Sequence, residues 1–404
     1  MAQSLLFHPQ VAAALWRAWF ETGLQPIRRG FDLPSISVEG RRIALRCEER
    51  PLSPFASLTV FTRADRPPAR RILLIPPLSG AFAFALRDMV ESLAPQARVA
   101  VLEWTNARFV SSAAGPFLVD DQVAQILTAL KNLGPGAHMA AVCQAGPPSL
   151  TAAALAAEAP DLSAPASLAL IASPIAPHEA PSAMSRQFRP TSLGVLQSSM
   201  VWRETPDGGL RRVLPAESHF QRLTAALAGQ RPGEHEFSTM LRDCIESRAP
   251  DAPPDFSDFV MAYMDAPAEH VLDNLTRLYY WRRRPLAVER WRRRRVDLRR
   301  LDLTPMMVVE GAHDTVVAPG QCRAALSLSP GAAGAPRREH LSAEAGHFGL
   351  FIGDVWRGEI SAALNEAMAA AEEWWETAPR LEAPPPAPPP KPAATAEADA
   401  LASG

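Results

Sequence analysis

Short, continuous runs of apolar residues alternate with helix-length segments over most of the chain. The runs lie at residues 72–75, 99–102, 139–142, 167–172 and 306–309. Segments with the length of helices lie near residues 82–94, 118–132 and 148–158, and a long final helix is predicted at about 354–376. Because strands buried on both faces read as continuous apolar runs, this alternation predicts a mostly parallel sheet covered by helices on both sides.

The N-terminal part follows a different pattern, in which short apolar–polar alternations flank a two-residue turn. Ser35–Val38 and Arg42–Leu45 surround a Glu-Gly pair, which predicts a β-hairpin. A further strand is predicted at Leu58–Phe61. These strands are expected to form an antiparallel edge of the sheet.

A long insertion interrupts the alternation. About 130 residues separate the run ending at Ala172 from the one starting at Met306, far more than an ordinary connection in an α/β sheet requires. This insertion is expected to be a cap or lid, with helix-like pieces at 216–229, 234–247 and 256–281. The expected organisation is an N-terminal helical segment (1–30, amphipathic at 10–22), a first core part (31–175), the cap (176–300), a second core part (301–377) and a disordered Pro/Ala-rich tail (378–404).

Composition narrows the functional classes. Of 404 residues, 47% are apolar and the net charge is −2, which allows a large core and gives no global argument for binding nucleic acid or a membrane surface. The four cysteines show neither a Cys-x-x-Cys pair nor metal-ligand spacing, which predicts reduced thiols in a cytoplasmic protein. Because there is no Walker motif and no ligand cluster, no metal or cofactor is expected. The longest uncharged stretch, Met139–Ala157, contains a glutamine and two prolines, so no transmembrane segment is expected.

Cys143 lies directly between an apolar strand-like run and a helix-like segment. A nucleophile on such a tight strand-to-helix turn needs small residues two positions before and after it, and Ala141 and Ala145 meet that need. The alternative is a buried core cysteine, the commonest fate of a lone cysteine. The start of a helix, however, stabilises a thiolate through its dipole and its free N–H groups. The setting therefore favours a nucleophilic thiol.

Two downstream residues are candidates for the rest of a catalytic triad. Asp314 follows the apolar run 306–309, at the end of a strand where open α/β sheets place their sites. Glu310 and Asp302 are the nearest competing acids, and His347 lies in a Gly-His-Phe-Gly loop before the final helix. The order nucleophile, acid, base is that of α/β-hydrolases. The expected fold is therefore an α/β-hydrolase with a mostly parallel sheet and a large inserted helical cap.

An oxyanion hole is expected beside the thiol. The backbone N–H of Gln144, the residue after Cys143, would form one half of it. The other half is expected in the loop after the first parallel strand, where either Leu78 or Ser79 can supply the N–H and Leu78 is preferred. A site of this kind serves an esterase or an acyltransferase equally, because both pass through an acyl-enzyme.

Several motifs resemble those of the intracellular polyhydroxyalkanoate (polyhydroxybutyrate) depolymerases. The resemblance covers most of residues 70–175 and 300–360, and it rests on Pro77–Gly80, Leu86–Asp88, Trp104–Arg108, Gly115–Phe117, Ala141–Gln144, Val309–Gly311 and Gly346–Phe351. It implies that Cys143, Asp314 and His347 are the nucleophile, acid and base of a granule-associated enzyme that cleaves a stored polyester without a cofactor. The chain has Ala81, Ala145 and Thr315 where that family tends to have His, Pro and Asp.

The segment from Trp281 to Arg300 holds ten arginines. A helix that buries Val288, Trp291 and Leu298 is expected here, and such a charge run is most often a solvated face. The functional alternatives are docking to an anionic granule surface or gripping the phosphates of coenzyme A.

Three functions remain open at this point. Transfer of the acyl group to water gives a depolymerase, whereas transfer to coenzyme A or to a growing polymer gives an acyltransferase. Synthases usually carry a Gly-x-Cys-x-Gly box, and the alanines around the thiol argue against that variant. The third alternative is a non-catalytic granule-binding protein.

Overall fold

The computed structural model describes residues 30–78, 83–158, 164–182, 185–186, 193–216, 218, 264–280, 288–331 and 334–378. The segments for which helices were predicted at 10–22 and 234–247, most of the one at 216–229, residues 256–263 of the one at 256–281, and the tail beyond residue 378 lie outside these described residues. None of the helices in the described part of the chain has the length and apolar character needed to cross a membrane.

The core is a nine-stranded sheet. Its strands are β1 (Ser35–Val38), β2 (Arg41–Ser53), β3 (Ala56–Arg63), β4 (Arg71–Ile75), β5 (Arg98–Trp104), β6 (His138–Val142), β7 (Ser167–Ile171), β13 (Met306–Gly311) and β14 (Arg337–Ser342). The nine strands of the core sheet lie in the order β1-β2-β3-β5-β4-β6-β7-β13-β14. The intervening strands of the chain, β8 to β12, belong to the cap and are described below. All pairs from β5-β4 to β13-β14 are parallel, and those among β1, β2, β3 and β5 are antiparallel.

This sheet confirms the predicted α/β-hydrolase architecture. The five apolar runs coincide with β4, β5, β6, β7 and β13, and the predicted hairpin forms the antiparallel edge. The chain enters the parallel part at β4 and places β5 on one side and β6 on the other. Strand β6 therefore lies near the middle of the sheet, and the residue that follows it opens at the carboxyl edge where such sheets bind their ligands.

Helices cover both faces of the sheet. The helices of the core are α1 (Arg87–Leu93), α2 (Val119–Leu133), α3 (Gly146–Glu158), α6 (Ala324–Leu328), α7 (Gly353–Val355) and α8 (Ser361–Thr377). Helices α4 (Leu193–Ser198) and α5 (Ala268–Leu275) belong to the cap. Helix α3 is rich in alanine and almost wholly buried, because small side chains let its backbone pack closely against β6, β7 and α2. The predicted final helix is present as α7, a π turn at Trp356–Ile360 and α8.

The described part of the cap contains strands as well as helices. Strands β8 (Val201–Glu204), β9 (Leu210–Leu214) and β10 (Ala266–Pro267) form a small antiparallel sheet, and β11 (Val288–Trp291) and β12 (Arg294–Asp297) form a hairpin. The prediction of a helix in the arginine-dense segment was wrong. Arg292 and Arg293 adopt left-handed φ angles of 46° and 67°, which close a tight hairpin turn. Because neither residue is a usual choice for such a turn, no local pattern predicts it.

The cap hairpin β8–β9 is fastened to the core loop that follows β5. The Asp207 carboxylate accepts hydrogen bonds from the hydroxyls of Ser111 and Ser112 (2.7 and 2.9 Å). The Arg211 guanidinium donates to the carbonyls of Ser111 and Gly115 (2.7 and 2.9 Å). Because Arg211 is buried and charged, these bonds also satisfy a group that is costly to leave unpaired.

Candidate active site

Cys143 occupies a strained turn between β6 and α3. Its φ angle is 53°, a left-handed conformation that costs a non-glycine residue about 1–3 kcal/mol. A single 3₁₀ turn, Cys143–Ala145, precedes α3. The thiol side chain is buried at the carboxyl edge of the sheet. This geometry is that of a nucleophile elbow, in which strain aims the side chain out of the turn.

The tightly packed region around the elbow includes Gly146 in addition to the two predicted small residues, Ala141 and Ala145. Ala141 and Ala145 are fully buried, in line with their predicted small size. A Cβ atom added at Gly146 would lie 2.3 Å from the Cβ of Ser173, which follows β7. Only glycine therefore fits at position 146, because α3 passes directly against the end of β7. The sequence signal, a glycine three residues after the thiol, was present but not recognised.

Replacing Gly146 by Ala is expected to destabilise the protein by about 1–3 kcal/mol, the usual cost of overpacking. Adding Ser173→Gly should restore part of the loss, because it removes the colliding Cβ, whereas the matched Ser173→Ala should not. Thermal and urea unfolding of the three variants measure this. A Gly146→Ala variant as stable as the wild type would contradict the close approach of α3 to β7.

Asp314 is held in one orientation after β13. One carboxylate oxygen, Oδ1, accepts the backbone N–H groups of Val316 and Val317, both at 2.8 Å. The other, Oδ2, lies 2.7 Å from Nδ1 of His347. Both oxygens are thus occupied and the side chain is fully buried, so it presents a fixed acceptor to the imidazole.

The two competing acids are engaged elsewhere. Glu310 accepts backbone N–H groups from Gly320, Cys322 and Arg323 at 2.8–2.9 Å and so shapes the loop after β13. The Asp302 carboxylate accepts hydrogen bonds from the Ser329 hydroxyl and a backbone N–H. Both carboxylates have structural partners, which leaves Asp314 as the acid that meets the histidine.

His347 reaches the site through a close contact between its loop and β13. A Cβ atom at Gly311 would lie 2.5 Å from the carbonyl oxygen of Ala345, so the glycine lets the loop approach the strand. The imidazole packs edge-on against Phe348 and Phe351, with ring centroids 5.4 and 5.8 Å away. These rings and Asp314 together fix the orientation of the imidazole.

The electrostatics of the site favour a charged imidazole. Burial by itself disfavours the imidazolium form of His347. The negative charges of Asp314 and of ionised Cys143, together with hydrogen bonds that the imidazole donates to both side chains, outweigh that penalty and raise the pKa of His347 to about 10. The structure therefore brings Cys143, His347 and Asp314 together, with the imidazole between the thiol and the carboxylate.

The two residues predicted to be oxyanion donors follow β4 and β6, which are neighbours in the sheet. Gln144 is the second residue of the 3₁₀ turn, where backbone N–H groups have no partner within the helix. Leu78 is buried just after β4, and Trp104 supports its loop by donating from Nε1 to the carbonyl of Pro76 at 3.0 Å. Ser79, the alternative donor, lies outside the described residues.

Contacts from the cap were missed by sequence reasoning. Asn274 on α5 donates from Nδ2 to the side-chain oxygen of Gln144 at 3.1 Å. Tyr279, in the π turn that follows α5, is near enough to Cys143 to be affected by its charge: burial first, and then the ionised thiol, raise the pKa of the phenol. No local sequence pattern marks either residue, because both contacts join segments more than 100 residues apart in the chain.

Other reactive side chains serve the fold. The Cys322 thiol donates to the carbonyl of Leu170, and burial raises its pKa, so it stays protonated. His138 lies 2.8 Å from the Ser167 hydroxyl, and burial lowers its pKa. Among the residues that the structure describes, no group of three or more His, Cys, Asp and Glu side chains is placed to hold a metal ion.

A family model described as the C-terminus of PHB (polyhydroxybutyrate) depolymerases matches residues 172–372. The matched stretch begins just after β7, includes the cap and ends within α8, so it contains Asp314 and His347 but not Cys143. The chain belongs to the polyhydroxybutyrate depolymerase family. Depolymerases of this polyester cleave ester bonds, and the protein is an ester hydrolase. The predicted family and enzyme class are thereby confirmed.

No curated protein matches the sequence. Similar solved structures include an α/β-hydrolase fold protein from Nakamurella multipartita, with 16% identity, a TM-score of 0.47 and coverage of 80% of this chain and 99% of that one. A thermophilic esterase from Thermogutta terrifontis has 13% identity, a TM-score of 0.42 and coverage of 84% and 97%. A bacterial membrane phospholipase A has 14% identity, a TM-score of 0.45 and coverage of 92% and 95%. Because these identities and TM-scores are low, the fold is assigned from the order of the strands in the sheet, and the activity is assigned from the family.

Proposed function

We propose that this protein is an intracellular depolymerase that hydrolyses the ester bonds of stored polyhydroxyalkanoate through Cys143, His347 and Asp314. The observation that carries the proposal is the buried Asp314–His347 hydrogen bond beside a thiol held at a positive φ angle. His347 takes the thiol proton of Cys143, and its raised pKa supports this role because the imidazolium that forms is stabilised by Asp314.

The reaction follows from these positions. The Cys143 thiolate attacks the ester carbonyl, and the backbone N–H groups of Gln144 and Leu78 hold the resulting oxyanion, each worth on the order of 3 kcal/mol. Imidazolium His347 protonates the departing alcohol end of the polymer, which leaves a thioester on Cys143. Neutral His347 then takes a proton from water, and the hydroxide attacks the thioester carbonyl. The hydroxyacid leaves, and the Cys143 thiolate and the His347 imidazolium are restored. Asp314 keeps the imidazole proton on Nδ1 and stabilises its positive charge.

The proposed partner is the surface of a polymer granule in the cytoplasm, as the family suggests. The basic hairpin β11–β12 supports it, because Arg292, Arg293 and Arg295 are exposed there. Trp291 anchors this hairpin to the start of α2 by donating from Nε1 to the carbonyl of Asp120 at 2.9 Å. An exposed basic surface on a fixed support suits contact with an anionic interface.

Product analysis tests the proposal and its alternatives. Purified protein is incubated with native polymer granules with and without coenzyme A, the granules are pelleted, and soluble products and bound protein are identified. We expect free 3-hydroxyacid without coenzyme A, and acid quenching should trap a hydroxyacyl group on the peptide that contains Cys143. Product that requires coenzyme A would indicate an acyltransferase. Sedimentation with the granules but no product in either condition would indicate a granule-binding protein.

A further inference from the structure

Helix α5 of the cap turns one polar face toward the core. Four of its side chains lie on this face because they are spaced at i, i+1, i+4 and i+5. They are Glu269, His270, Asp273 and Asn274, and each has a partner in the core within 3.1 Å. These four contacts together fix both the position and the rotation of the helix.

Three of these contacts reach the start of α2. Glu269 and Asp273 accept the backbone N–H groups of Phe117 and Val119 at 3.0 and 3.1 Å, and Nε2 of His270 lies 2.9 Å from the Gln122 side-chain oxygen. Carboxylates at a helix N-terminus satisfy N–H groups that lack partners and interact favourably with the helix dipole. The start of α2 therefore serves as the seat of α5 on the core.

The fourth contact reaches the nucleophile elbow itself. Asn274 is buried, and its Nδ2 donates to the side-chain oxygen of Gln144 at 3.1 Å. Gln144 follows Cys143 directly, and the peptide that joins them carries the proposed oxyanion donor. Cys143 is held at a φ angle of 53°, so the backbone next to this peptide is strained. The hydrogen bond to the Gln144 side chain helps to keep the peptide in this conformation.

The segment after α5 continues toward the same place. Thr276–Tyr280 forms a π turn directly after α5. Burial, and then the charge of the nearby Cys143, raise the pKa of the Tyr279 phenol in this turn. The cap thus contacts Gln144 through Asn274 and approaches Cys143 through Tyr279.

We propose that Asn274 is a positioning residue for catalysis, through which cap helix α5 sets the direction of the Gln144 backbone N–H in the oxyanion hole. The inference rests on the proposed function, since it assigns a role within that site. The docking of α5 on α2 positions Asn274, and Asn274 holds the Gln144 side chain. The peptide between Cys143 and Gln144 is thereby kept directed at the oxyanion. In this way the cap takes part in catalysis.

Kinetics of Asn274→Ala on a soluble oligoester test this role. We expect kcat to fall about 10-fold or more with little change in KM, because a misdirected donor weakens only the transition state. Alkylation of Cys143 by iodoacetamide, a displacement that needs no oxyanion hole, should keep its wild-type rate. Asn132→Ala, an exposed asparagine whose side chain bonds within α2, is the matched control and should change neither rate.

A double-mutant cycle separates positioning from general support. Gln144→Ala removes the side chain that Asn274 holds but keeps the backbone N–H. If Asn274 acts through Gln144, the double variant should be no slower than Gln144→Ala alone. Additive losses, an unchanged kcat in Asn274→Ala, or an equal fall in alkylation would each overturn the inference. Hydrolysis that survives Cys143→Ala would instead overturn the proposed function, so the two failures are distinguishable.

Discussion

Cys143→Ala is expected to lower kcat for ester hydrolysis by about 10⁴-fold or more, because removing a nucleophile leaves only binding and the oxyanion hole to act. The fold should survive the change. The thiol is small, and alanine, which also carries a Cβ atom, can adopt the same backbone conformation as cysteine at this position. Granule binding should be retained, which separates loss of chemistry from loss of docking.

A variant of another cysteine serves as the control for this result. Cys47 is exposed on β2 and Cys322 is buried near β13. Cys47→Ala should hydrolyse granules at the wild-type rate, and peptide mass mapping should place the trapped acyl group on the peptide of Cys143 in both wild type and Cys47→Ala. Cleavage that persists in Cys143→Ala would mean that another group attacks the ester.

Asp314→Asn is expected to reduce kcat by about 10³- to 10⁴-fold at neutral pH. If the amide oxygen continues to accept the N–H groups of Val316 and Val317, its NH₂ group faces Nδ1 of His347. The imidazole must then carry its proton on Nε2, the wrong tautomer for accepting the thiol proton. The loss of charge also removes a main cause of the raised His347 pKa.

The pH dependence of the same variant gives a second readout. In the wild type the pKa of His347 is about 10, above its ordinary 6.5, so the imidazolium persists through neutral pH and is lost as the pH rises through 10. In Asp314→Asn that pKa should fall, so the alkylation rate of Cys143 should be lower than in the wild type at neutral pH. Asp302→Asn, which changes an acid with structural partners, is the control and should leave both rates within about 2-fold. Wild-type alkylation in Asp314→Asn would contradict the assignment of the acid.

Within the core sheet, the strands predicted from the sequence and the one that was not predicted, β14, differ in their surroundings. Strands β4 to β7 and β13 lie inside the sheet and are buried on both faces, so they appear as continuous apolar runs. Strand β14 is the edge strand, Arg-Arg-Glu-His-Leu-Ser, and most of it is exposed or half-buried. Its pairing with β13 stabilises it, and no local propensity reveals that pairing.

The cap was predicted as an insertion from its length, and the helix predicted at 256–281 is present at Ala268–Leu275 and in the π turn that follows. The strands of the cap were not predicted. The hairpin β11–β12 depends on two consecutive arginines in left-handed conformations, a choice that local preference disfavours. It is stabilised by remote contacts, such as the backbone N–H of Arg292 donating to the Asp120 carboxylate at 2.9 Å. Tertiary contacts of this kind override local propensity.

The sequence by itself determined the identity and order of the candidate residues Cys143, Asp314 and His347, because each lies at a strand end or in a loop whose position the apolar pattern fixes. The tertiary structure decided how they meet. The approach of Gly146 to Ser173 and of Gly311 to Ala345 and the bond from Asn274 to Gln144 join segments far apart in the chain. Their geometry follows from packing and register across the sheet, which local composition does not encode.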